Sequence, residues 1–142
     1  MLSLGLCLQA SEGNLRIVKV LPFLIDKKGE HTISPSLFER DAYQGYLRRH
    51  PAEVSTLRYD FQWKGKVKSD EGVTVRLEVR GSRGDLRHPS VFESPLKRTG
   101  WGKWGFIALP EGDFHALGAI VAWRLSLWQN GTQIAEQKSF LW

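Results

Sequence analysis

Cysteine is almost absent: Cys7 is the only one in 142 residues. An internal disulfide and a multi-cysteine zinc site are therefore both excluded, and a reducing, cytoplasmic setting fits better than a stapled secreted scaffold. No apolar run approaches the roughly 20 residues needed to cross a bilayer, which predicts a soluble chain. No basic residue precedes Leu2, Leu4, Leu6 and Leu8, and Arg16 comes too late to open a secretory signal. Leu6 also stands before Cys7, where lipoprotein attachment wants a small residue. Strict alternation of those leucines with Ser3, Gly5, Cys7 and Gln9 instead reads as a strand with one buried face.

Catalytic signatures are missing as well. The four histidines, His31, His50, His88 and His115, are scattered without metal-ligand spacing, and no HExxH accompanies them. None sits beside a Ser, Cys or Thr in a recognisable nucleophile motif. The carboxylate pairs Asp70/Glu71 and Glu111/Asp113 lie in turn-like sequence, where turn formation explains them more simply than acid–base work. No metal or cofactor is expected, and the chain reads as non-enzymatic.

What is present is the composition of one globular domain spanning residues 1–142. Hydrophobic residues make up 42% and charged residues 25%, with six Trp, seven Phe and three Tyr, enough for one well-filled core. The net charge of +5 favours acidic partners weakly, since a charge of this size is also an ordinary solubility device.

Two segments carry a clear period of two. Leu57, Tyr59, Phe61 and Trp63 face one way against Arg58, Asp60, Gln62 and Lys64; Val73, Val75, Leu77 and Val79 do the same against Thr74, Arg76, Glu78 and Arg80. One dry face and one wet face per strand is the pattern of antiparallel sheets. Residues 15–25 add a strand whose Pro22 marks an end, a bulge or an edge, followed by a turn at Asp26-Lys27-Lys28-Gly29. Residues 65–72 form a polar connection. A strand is expected over 103–109, closed by a turn at Pro110-Glu111-Gly112-Asp113. Val121, Trp123, Leu125 and Leu127 define another, and Asn130-Gly131 folds residues 132–142 back beside it. A plain two-residue loop there would set Leu125 opposite Glu136 and Trp123 opposite Lys138, so a bulge after Ile134 is preferred to a charged edge. The one helix expected covers residues 36–49 within 34–51. Ser36 and Glu39 make a capping box, Pro51 is the stop, and Phe38, Ala42, Tyr43, Tyr46 and Leu47 share a face.

About seven strands and one helix, with no strand–helix alternation, predict an all-β fold: an antiparallel two-sheet sandwich, immunoglobulin-like, with a β-barrel as the alternative.

The stretch over 81–103 is long for a loop, and either it hides a short strand near 90–93 or 96–99 or it is functional. Gly81-Ser82-Arg83-Gly84 superficially resembles glycine loops that clamp nucleic acid, but the helical surroundings of such modules are absent. Arg83-Gly84-Asp85 and the sequon at Asn130-Gly131-Thr132 are read as chance. Tryptophan and arginine concentrate binding energy at interfaces. Trp101, Trp104, Arg87 and Arg98, with Arg83 and Lys97 nearby, are therefore the candidate binding residues of a module that takes a protein partner or a second copy of itself. Carbohydrate stacking on Trp101, Trp104 and Trp128 is a second reading. Polyanion contact through Lys64, Lys66, Lys68, Arg83, Arg87, Lys97 and Arg98 is a third, in which nucleic acid is the less expected partner.

Overall fold

The computed structural model describes residues 15–65, 72–97 and 103–142. The alternating leucines at the N-terminus and Cys7 lie outside them. Within the described residues the alternation becomes seven strands: β1 (Arg16–Asp26), β2 (Val54–Lys64), β3 (Val73–Gly81), β4 (Ser90–Pro95), β5 (Trp104–Ala108), β6 (Ile120–Gln129) and β7 (Thr132–Lys138). A three-stranded sheet has the order β1-β2-β5 and a four-stranded sheet the order β4-β3-β6-β7, every pairing antiparallel. The two pack face to face as an open sandwich rather than a barrel. The chain changes sheets between β2 and β3, between β4 and β5, and again between β5 and β6.

The period-two residues form the interior, except at the start of β6, where Ala122 is buried and Val121, expected to face in, is 44% exposed. Tyr59, Phe61 and Trp63 on β2 are fully buried against Val75, Leu77 and Val79 on β3 and Leu125 and Leu127 on β6. The long stretch after β3 does contain a strand, β4, which pairs Val79 with Ser90 and Thr74 with Pro95. At the C-terminal hairpin Asn130 and Gly131 both take positive φ, 51° and 75°, the conformation that Asn-Gly supplies cheaply. The ladder then slips by one residue, so that Trp128 faces Gln133 but Leu127 faces Ala135. Ile134 is the extra residue, and the slip sets Leu125 opposite Gln137 instead of Glu136.

Helix α1 spans Leu37–Arg49, and the Ser36 side chain accepts from the Glu39 N–H at 3.4 Å. The reciprocal half of the capping box is not made, because the Ser36 N–H donates to Ser34 Oγ. The expected buried face is corrected: the helix buries Gln44 and Leu47, whereas Phe38 is 83% exposed. A polar side chain faces inward because β1 needs it. Gln44 Oε1 accepts from the Leu24 N–H at 2.8 Å, and Nε2 donates to the carbonyls of Leu24 and His31. One amide thus does for the edge of β1 what a neighbouring strand would do. Asp26 makes the second tie, accepting from the Tyr43 hydroxyl at 2.5 Å and from the N–H groups of Lys28 and Glu30.

A second helix, α2 (Glu111–Leu117), replaces the turn expected at Pro110–Asp113. Pro110 precedes its first turn and its carbonyl accepts from the Phe114 N–H, so the turn-like sequence is a helix start.

Candidate functional site

At one end of the sandwich β1 stops, β2 and β6 start and β3 turns towards β4, and both helices pack there. The close approach of two segments shapes this end. The Ser82 and Arg83 N–H groups donate to the carbonyls of Ala119 and Leu117 at 2.8 and 2.9 Å, and the Ala119 N–H returns a bond to Ser82 Oγ. Two glycines make the approach possible. A Cβ on Gly81 would lie 2.4 Å from the Leu117 carbonyl oxygen, and one on Gly118 would lie 2.6 Å from Ser82 Oγ. Gly118 also holds φ 73°, ψ −142°, a region that other residues reach only under strain. Gly81-Ser82-Arg83-Gly84 is therefore a packing device against the end of α2.

The device leaves a cleft of about 600 Å³ between α1, β1, α2 and the start of β6, within the size range of ligand sites. Leu24, Leu47, Val54, Leu57, Phe114 and Ile120 supply apolar walls. Arg48 on α1, Arg83 on the β3–β4 turn and His115 on α2 stand around them, all exposed. The Arg83 guanidinium donates to the His115 carbonyl at 3.4 Å. Among the described residues no Asp or Glu lines the cleft, and neither Arg48 nor Arg83 is paired with a carboxylate. On α2, Glu111 is held by Lys27 Nζ at 3.0 Å and lies 3.9 Å from His115 Nε2. The cleft therefore carries positive charge over an apolar floor.

The four candidate residues that the structure describes, Arg83, Arg87, Lys97 and Trp104, do not meet in one patch. Trp101 and Arg98 lie outside the described residues. Trp104 is half-buried on β5 opposite Gln62, and Lys97 is exposed just after β4, both at the far end of the sandwich. Arg83 and Arg87 lie in the β3–β4 turn. The nine residues of β3 separate the two groups, roughly 30 Å at strand rise. Of the four described candidates, only Arg83 lines the cleft.

A second feature was missed by sequence reasoning. The outer face of the four-stranded sheet carries guanidinium groups stacked on indoles: Arg76 over Trp128 at 4.0 Å, Arg80 over Trp142 at 3.8 Å and Arg124 over Trp142 at 5.0 Å. Arg124 also grips the buried Glu78 carboxylate through two oxygens at 2.8 and 3.0 Å. Arg76, Glu78 and Arg80 alternate on β3, and that pattern was the available signal, but only the folded chain shows their partners: Trp128 and Arg124 come from β6, and Trp142 from the segment after β7.

The histidines are held by local contacts. His88 Nδ1 lies 2.7 Å from Asp85, and His50 stacks on Tyr46. His31 packs on Phe23 beside Arg58. Among the described residues no group of three or more His, Cys, Asp or Glu side chains could hold a metal ion, and no helix is long and apolar enough to cross a membrane. No protein-family model, characterised protein or solved structure matches the chain.

Proposed function

We propose that the chain is a non-enzymatic binding module with immunoglobulin-like architecture, and that it takes a protein partner in the cleft beside α1 and α2. The strand order supports the architecture: a β1-β2-β5 sheet over a β4-β3-β6-β7 sheet is the immunoglobulin arrangement with its fourth strand moved across to the larger sheet. The observation that carries the function is the cleft itself, apolar inside, rimmed by guanidinium groups that have no carboxylate partner among the described residues, and built by a glycine-dependent approach. Arginine is among the residues enriched where interface binding energy concentrates, and an occupant that covers the recess would desolvate Arg48 and Arg83. The lone cysteine supports a cytoplasmic setting for that partner.

Carbohydrate stacking has less support, because Trp128 carries a guanidinium over the ring and Trp104 is half-buried. Polyanion contact is weakened by the division of the described basic residues between opposite ends.

A photo-crosslinker in place of Phe114 in the full chain tests the reading. One discrete protein adduct should form, and the purified partner should bind wild type. Ala119→Trp, which fills the cleft from an exposed position, should lose that binding while keeping its fold by circular dichroism. A partner that crosslinks only through Phe106 on the distant β5 face, or that binds Ala119→Trp unchanged, removes the cleft from the function.

A further inference from the structure

The chemistry of the cleft specifies more than its location. We infer that its occupant is a peptide segment of the partner that places one large aliphatic side chain on the apolar floor and a carboxylate between Arg48 and Arg83. This inference rests on the cleft being the partner site and names what the site selects.

Three observations carry it. First, the polar groups able to meet a ligand are of one sign. Arg48 and Arg83 are cations without carboxylate partners among the described residues, and His115 adds a third nitrogen-bearing group. Gln44, the remaining polar lining residue, has both ends of its amide committed to Leu24 and His31, so it offers little to a ligand. An uncharged apolar ligand would leave the guanidinium groups unused, and a cationic one would be repelled.

Second, the two arginines come from different walls. Arg48 is in the last turn of α1, and Arg83 is clamped to the end of α2 through the Ser82–Ala119 and Arg83–Leu117 backbone bonds. Because both line the one recess, a carboxylate that enters it meets guanidinium groups from two separate elements.

Third, the walls are open. Pro22, Arg48, Arg83, His115 and Ala119 are all exposed, so the recess is open to solvent and a chain passing over it can lay one side chain into it. A fatty acid, whose affinity comes from enclosing most of its tail, is served better by a closed cavity.

A seven-residue random peptide library displayed on phage, selected against the full chain, tests the proposal. Peptides recovered on wild type should share an Asp or Glu within two or three positions of Leu, Ile or Phe. Exchanging that acid for its amide in the synthetic peptide should weaken binding roughly tenfold or more, the factor expected of a charge-assisted contact. Binding should also weaken as salt rises. On Arg48→Gln/Arg83→Gln the acid and amide peptides should bind alike. Ala119→Trp should abolish both.

Selected peptides without an acid, or an acid–amide difference that survives in the double variant, would overturn the charge assignment. In that case a cleft that still responds to Ala119→Trp leaves the partner-site reading intact. Peptides indifferent to Ala119→Trp would overturn both. A barren selection accompanied by saturable binding of dodecanoate that Ala119→Trp removes would make the occupant a lipid-like anion and overturn the peptide proposal.

Discussion

Tyr43 and Gln44 show how adjacent residues on one helix can hold a sheet edge. Tyr43 donates to a carboxylate that already accepts two backbone N–H groups, and Gln44 supplies a donor and an acceptor to the same strand. The phenol is pushed up to about 12, chiefly by its bond to Asp26 and then by burial. Tyr43→Phe removes the bond without changing the ring. Urea denaturation should show a loss of about 1–2 kcal/mol, the value of a hydrogen bond to a charged group discounted for partial exposure. An unchanged midpoint would show that water replaces the hydroxyl at no cost. Neither contact is written in the sequence: the expected face of α1 was aromatic, and the polar residue between those aromatics turned out to face in. Apolar periodicity cannot report a glutamine whose task is to satisfy backbone groups from a distant strand.

At the scale of elements, Gly118 decides where α2 ends and where Arg83 stands. Gly118→Ala would have to hold a backbone conformation proper to glycine and to displace Ser82 and Arg83. Destabilisation of about 1–3 kcal/mol is expected from the strain alone, measured by thermal or urea unfolding. Selected cleft peptides should bind this variant more weakly than wild type even at temperatures where it remains fully folded. Gly112→Ala, with open space around its Cβ position, should do neither. Elements themselves were unevenly legible. The alternating runs of β2, β3 and β6 were readable because a period of two is local, and the conflict between Leu125 and Glu136 pointed to the bulge that the C-terminal hairpin contains. Helix α2 was not readable: it has seven residues, too few to show a helical repeat, and begins in a sequence that also makes turns.

For the molecule as a whole, the response to acid follows from two groups tied to β1 and its connection to α1. Burial pushes the Asp26 carboxyl up, but the Tyr43 hydroxyl, the N–H groups of Glu30 and Lys28 and the Lys28 charge outweigh it and hold it below 3.8. His31 is held below 6.5 by burial and by the charges of Arg58 and Arg40, against an opposing pull from Asp60. In both cases the unfolded chain takes the proton first, so each contribution is full above the unfolded pKa and declines as pH falls towards the folded one. Stability should therefore drop as pH falls below about 6.5 through His31, and fall again below about pH 4 through Asp26. Denaturation midpoints of wild type and His31→Asn across that range check the first step, which the variant should lack.

The sequence by itself determined the two-sheet class, the inward faces of β2 and β3, the start of α1 and the Asn-Gly hairpin, because each depends on neighbours within a few residues. Only the tertiary structure decided that β4 joins the larger sheet, that Arg83 shares a cleft with Arg48 while Arg87 stands a strand's length from Trp104, and that the glycines at 81 and 118 exist for one close approach. Those outcomes depend on which segments the folded core brings together, a property of packing in three dimensions that local periodicity does not encode.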